Sequence, residues 1–159
     1  VRRFASDTAV PIGRSRGEID KLLRDWGASA IQWSDEYDLD RVTLRFIWTS
    51  HGTRFMARFT LKLRTRKELE PAALDGRTGQ VSEGKIQRLL NDRGKQEHRV
   101  LLLWIKAALN AVDLGIVSAE ELFLPFLEGA DGKTVGEVAM PRLVKLVGGG
   151  ANLLLGDGR

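Results

Sequence analysis

Residues 41–66 read RVTLRFIWTSHGTRFMARFTLKLRTR, and their alternation decides the fold. In the first half Val42, Leu44, Phe46 and Trp48 alternate with Arg41, Thr43, Arg45, Ile47 and Thr49. After Ser50-His51-Gly52 the pattern resumes: Phe55, Ala57, Phe59, Leu61 and Leu63 alternate with Arg54, Met56, Arg58, Thr60, Lys62 and Arg64. Successive side chains on a strand point to opposite faces, so this spacing predicts a β-hairpin with one apolar and one cationic face. No acidic residue interrupts it.

Working upstream, residues 34–40 form an acidic connection and residues 28–33 read as a first strand. The acidic run lacks the glycine and terminal glutamate of an EF-hand loop, so it is read as a solvated connection and not as a cation site. Ser15 and Glu18 have the spacing of a capping box. Ile19, Leu22, Leu23 and Trp26 then mark one face of a short helix that Gly27 stops. Residues 1–14 are expected to be an extended arm, since Pro11 disfavours helix at Val10. Arg2 and Arg3 would make that arm either a phosphate contact or a solvated tail.

Downstream, Pro71, Asp75-Gly76 and Gly79 predict a long loop over residues 68–84. Arg66 and Lys67 lead into it, so it is either mobile or able to close over a bound strand. A long helix is expected from Ser82, carrying Ile86, Leu90, Leu101 and Trp104, with a kink or break at Gly94. Residues 100–105 are apolar all round, which calls for cover from the sheet and later helices, or from another subunit. Further capping boxes at Ser118–Glu121 and Thr134–Glu137 open two more helices, the first limited by Pro125. Residues 148–159 are read as a flexible or partner-docked tail. The fold expected is α+β. It is a single domain over residues 1–159, with a three-stranded antiparallel sheet, an N-terminal helix, a long helix and two C-terminal helices.

The composition of the 159 residues, 43% apolar and 29% charged, is that of a soluble globular domain. A net charge of +4 makes polyanions plausible partners. With no cysteine there is no disulfide framework, thiolate nucleophile or cysteine-ligated zinc. The apolar run 100–105 is too short to cross a bilayer, and no signal pattern is legible, so a cytoplasmic location is expected. His51 and His98 lack zinc-site spacing. His98 with Glu97 and Asp92 reads as helix-surface pairing. Neither a P-loop, a dinucleotide fingerprint nor a nucleophile elbow is present. Neither an enzyme nor a cofactor is expected.

The cationic strand face carries the functional reading. Arg45, Arg54, Arg58, Lys62 and Arg64 would follow a phosphate backbone, with Arg66 and Lys67 beyond them. Five neutralised phosphates would give a log–log salt slope near about −3.5 on single strands. Trp33, Trp48 and Tyr37 are candidate stacking platforms, although the parity of Trp48 puts it in the core. The competing reading is a solvated face whose charges keep sheets from pairing edge to edge.

Two pieces of the chain carry a resemblance. One is TAVPIGRSRGEIDKLL at residues 8–23, with Trp26-Gly27-Ala28. The other joins the helix of residues 99–116 and Glu120-Glu121-Leu122-Phe123-Leu124 to Asp131-Gly132-Lys133-Thr134-Val135-Gly136-Glu137 and Pro141. Together they resemble a family of small proteins of tailed bacteriophages and prophages, which implies a role in replication, recombination or interference with host defence. The order helix, three strands, long helix is also similar to the core of single-strand annealing recombinases, which implies rings that bind DNA in a basic groove. The leading expectation is a non-catalytic protein that binds single-stranded DNA, as a homo-oligomer. The alternative is a module that docks on a host defence protein.

Overall fold

The computed structural model describes residues 9–148. The architecture is α+β, and a three-stranded antiparallel sheet of order β1-β2-β3 forms its centre. The strands are β1 (Ala30–Glu36), β2 (Arg41–Ser50) and β3 (Thr53–Lys62). Register follows the sequence alternation: Leu44 faces Phe59, Phe46 faces Ala57, and Arg45 faces Arg58. The hairpin turns through His51 and Gly52, both at positive φ (48° and 75°), the two-residue turn whose twist matches that of its strands.

Helices cover the apolar face. Helix α1 (Ile12–Trp26) contributes Ile19 and Leu23, and α4 (Lys95–Asp113) contributes Leu101, Leu102, Ile105 and Leu109. Together with Leu44, Phe46, Trp48, Ala57 and Phe59 they build one core. Most of the apolar run 100–105 is thus spent inside the chain, while Val100 and Trp104 stay partly open. Helix α5 (Ala119–Phe123) closes the core with a fully buried Phe123, and a 3-10 turn follows at Leu124–Phe126. Helix α6 (Val135–Gly148) comes last among the described residues.

Several expectations need correction. Helix α1 starts at Ile12, ahead of the expected box, because Pro11 (φ −60°) is set for a first turn and its carbonyl accepts from Arg14 and Ser15. Ser15 is consequently a buried mid-helix residue, and Glu18 pairs with Arg14 and Arg99. The extended arm therefore ends by Pro11, and its residues 1–8 lie outside the described residues, as do 149–159 of the expected tail. The first strand starts at Ala30 and runs to Glu36, three residues further than expected.

The loop expected at 68–84 is shorter than expected, because helix occupies both of its ends: α2 (Arg66–Ala73) and α3 (Glu83–Asp92) flank a connection of residues 74–82. Thr65 and Glu68 form a reciprocal capping box that starts α2 despite Pro71. Leu69, Ala73 and Ile86 make a small second core between the two helices. Asp75 holds the connection by accepting from the amides of Arg77 (2.7 Å) and Thr78 (3.2 Å).

The break at Gly94 is real. Its φ of 89° separates α3 from α4, and a Cβ there would lie 3.1 Å from Leu63 Cδ2. Gly94→Ala is expected to cost about 1–2 kcal/mol, the left-handed penalty of an L-residue. Urea unfolding checks it, and an unchanged midpoint would contradict the account.

Candidate nucleic-acid interface

The face of the sheet away from the core holds the expected cations, but the structure divides them. Past the 3-10 turn the chain runs along the outer edge of β3: Leu127 bridges Ala57, and the Glu128 amide donates to Met56 O at 2.8 Å. This delivers two carboxylates across the middle of the face. Glu128 accepts from Arg45 Nε at 2.7 Å and lies 3.8 Å from Arg58, and its side chain is only 6% exposed. Glu137 accepts from Arg58 at 2.6 Å while also capping α6 at the Thr134 amide. That approach depends on Gly136, where a Cβ would stand 2.8 Å from Pro125 O.

Arg45 is accordingly held above its ordinary pKa, chiefly by the Glu128 hydrogen bond. Glu137 is held below its own, first by the Thr134 amide and further by Arg58. Arg66 is engaged as well, in a two-point pair with Glu83 (3.0 and 2.6 Å) that brings the Glu83 carboxyl down to about 2. Arg45, Arg58 and Arg66 are therefore already neutralised within the chain.

Arg54, Lys62, Arg64 and Lys67 remain. All four are exposed, and none makes an ion pair among the described residues. Arg54 sits beside the hairpin turn, paired in register with Thr49, while Lys62 ends the strand opposite Arg41. At the usual strand rise the eight residue steps from one to the other span roughly 27 Å. The other two cations continue past the strand into α2. The expected continuous row is thus two cationic ends joined by a partly buried ion network.

Of the three stacking candidates, two are closed. Trp48 is 4% exposed. Trp33 donates Nε1 to Asp20 (2.9 Å), stacks on His98 (5.5 Å) and lies under the Arg16 guanidinium (4.7 Å). Tyr37 is 76% exposed, in the turn between β1 and β2 and at the Lys62 end of the sheet.

The acidic connection is not simply solvated, because arginines lock it. Asp35 pairs with Arg16 at 2.5 Å, Glu36 with Arg41, and Asp40 with Arg93. No group of His, Asp and Glu suited to a metal occurs among the described residues.

His98 also departs from expectation, being buried under α1 instead of pairing on a helix surface. Its Nδ1 lies 2.6 Å from the Gly94 carbonyl and its Nε2 accepts from Arg16 Nε at 3.0 Å. A carbonyl only accepts, so Nδ1 carries the proton and the ring is neutral. Burial, aided by the Arg16 charge, pushes its pKa below the ordinary 6.5. A depressed folded value means the stability His98 contributes is present above 6.5 and is lost as pH falls through the folded value. Urea midpoints should drop between about pH 7.5 and about pH 5, and His98→Gln should flatten that part of the profile. An equal drop in the variant would assign the effect elsewhere.

Neither Glu128 nor Glu137 was legible as a partner of the strand, since they stand 83 and 79 residues from the arginines they hold. The Thr134–Glu137 capping box was the one local signal nearby.

No family model, curated protein or solved structure matches the chain. No helix among the described residues is long and apolar enough to cross a membrane.

Proposed function

We propose that the chain binds single-stranded nucleic acid, DNA by preference, and acts without catalysing a reaction. The observation that carries this reading is the set Arg54, Lys62, Arg64 and Lys67, four exposed cations without ion-pair partners among the described residues, strung along one strand and its exit. Elsewhere on the same face the chain neutralises its arginines with its own carboxylates. Cations left open beside cations that are closed fit a surface that meets phosphates. Tyr37 adds an exposed ring at one end. A role for such binding in DNA replication or recombination is part of the same proposal.

Arg54→Glu combined with Lys62→Glu tests the reading. Neither residue makes an ion pair among the described residues, and affinity for a single-stranded oligonucleotide should fall more than about tenfold. Unchanged affinity would overturn it. Arg58→Glu is the wrong probe, because it would set a carboxylate against Glu128 and Glu137.

A second reading, a module that docks on a host protein, is favoured by α6. Met140, Val144, Leu146 and Val147 of that helix are all exposed. Such a run of apolar side chains suits burial against a protein surface. A tagged chain that still recovers one stoichiometric protein from nuclease-treated bacterial lysate would favour it, and recovery of nothing would count against it.

A further inference from the structure

Strand β3 lies at one edge of the sheet. The Glu128 amide reaches Met56 O from outside the sheet, so the main-chain groups of Met56 point away from β2. These groups alternate in direction along an antiparallel strand, so those of Thr60 and Lys62 point outward too. The Leu63 amide, which donates inward to Asp40 O at 2.7 Å, keeps the same alternation. Among the described residues no main-chain group pairs with the outward N–H and C=O of Thr60 or Lys62, and both residues are exposed. An edge open in this way is a template for a further strand.

Beside it, the edge of β3 and one face of α4 border a groove of about 600 Å³. Phe59, Leu61, Val100 and Trp104 give the groove apolar walls. Val100 and Trp104 keep 41% and 37% exposure, although they belong to a run that is otherwise spent in the core.

The chain itself shows what fits this edge. Where Leu127 and Glu128 join β3, the main chain bonds Met56 and Leu127 packs against the core. The Glu128 carboxylate meanwhile takes Arg45 and Arg58 on the other face. An extended segment that alternates apolar and acidic residues thus satisfies the edge, the apolar side and the cationic side together. Further along the same edge all three needs recur unmet. The main-chain groups of Thr60 and Lys62 are open, Val100 and Trp104 are uncovered, and Lys62 and Arg64 make no ion pair among the described residues. A second copy of β3 would answer the first two needs but set its own Lys62 and Arg64 against these cations, which opposes edge-to-edge pairing. Glu97, the one acid of the groove lining, belongs to the α4 wall, the side that apolar residues would face.

We infer that the outer edge of β3 at Thr60–Lys62 takes an acidic, extended peptide segment of a partner protein as a fourth strand. Its apolar side chains pack on Val100 and Trp104, and its carboxylates meet Lys62 and Arg64. Lys62 and Arg64 are shared with the phosphate surface, so the peptide and a nucleic acid compete for this end of the sheet.

The probe is a labelled peptide of alternating Glu and Val, compared with the same peptide carrying Lys for Glu, by fluorescence anisotropy on the full chain. The Glu peptide should bind, and the Lys peptide at least about tenfold more weakly. Thr60→Pro removes an outward N–H that the ladder does not use, a position where an edge strand accepts proline. Val100→Ser removes part of the apolar wall. Each should weaken the Glu peptide about tenfold, and Val100→Ser should leave oligonucleotide affinity unchanged. No binding of the Glu peptide, equal binding of both peptides, or unchanged affinity in both variants would overturn the inference. So would a dimeric mass that Thr60→Pro returns to a monomer, which would give the edge to a second copy. An oligonucleotide titration run alongside separates the two readings. Peptide binding without oligonucleotide binding sinks the nucleic-acid reading alone, and the converse sinks this inference alone.

Discussion

Phe123→Ala is expected to lower the unfolding free energy by about 3–5 kcal/mol, the cost of emptying a large aromatic site in a packed core. Phe123 is fully buried, with Phe46 at 5.3 Å, Trp48 at 5.6 Å, Trp26 and Trp104 at 6.1 Å and Phe59 at 6.2 Å between ring centroids. Those neighbours come from α1, the sheet and α4, so the site cannot collapse without moving three elements at once. Helix α5 is itself only five residues long and depends on this anchor and on its Ser118–Glu121 box. Domains of this kind have about 5–15 kcal/mol in all, so the variant would sit near the edge of folding. Urea unfolding measures it. A loss below about 1 kcal/mol would mean that the aromatic cluster is not the centre of the core.

Glu128→Ala should have the next largest effect. It would leave Arg45 and Arg58, directly opposed across two strands, with no carboxylate between them. Removing one partner of a buried pair costs about 3–5 kcal/mol. The two arginine side chains keep 26% and 16% exposure, which brings the expectation down to about 2–3 kcal/mol. Glu128→Gln, which keeps the shape and part of the hydrogen bonding, should lose less. The same alanine variant frees Arg45 for phosphate, while Arg58 keeps Glu137. Its salt slope on single strands should therefore steepen by about 0.7. A stable variant with an unchanged slope would contradict both halves of the argument.

The hairpin was legible because a strand writes its two faces into alternate residues. Trp48, Arg45 and the His51-Gly52 turn all fell where parity put them. Helix α2 was not legible, since its eight residues include Pro71 and end in turn-forming sequence. Its cap at Thr65 directly follows the strand and reads as part of it. At the N-terminus a well-formed Ser15–Glu18 signal lost to Pro11, whose fixed φ starts the helix one turn earlier. The candidate site was half legible. Periodicity finds the cations on a face but not the anions that fold back onto them from distant sequence. That separates Arg45, Arg58 and Arg66 from Arg54, Lys62, Arg64 and Lys67.

The most direct test of the central claim is an anisotropy titration of the wild-type chain with a labelled single-stranded oligonucleotide at two salt concentrations. Four open cations predict binding that weakens with a log–log slope near about −2.8. No binding at low salt, or binding indifferent to salt, would contradict it and leave the four cations as a solvated strand.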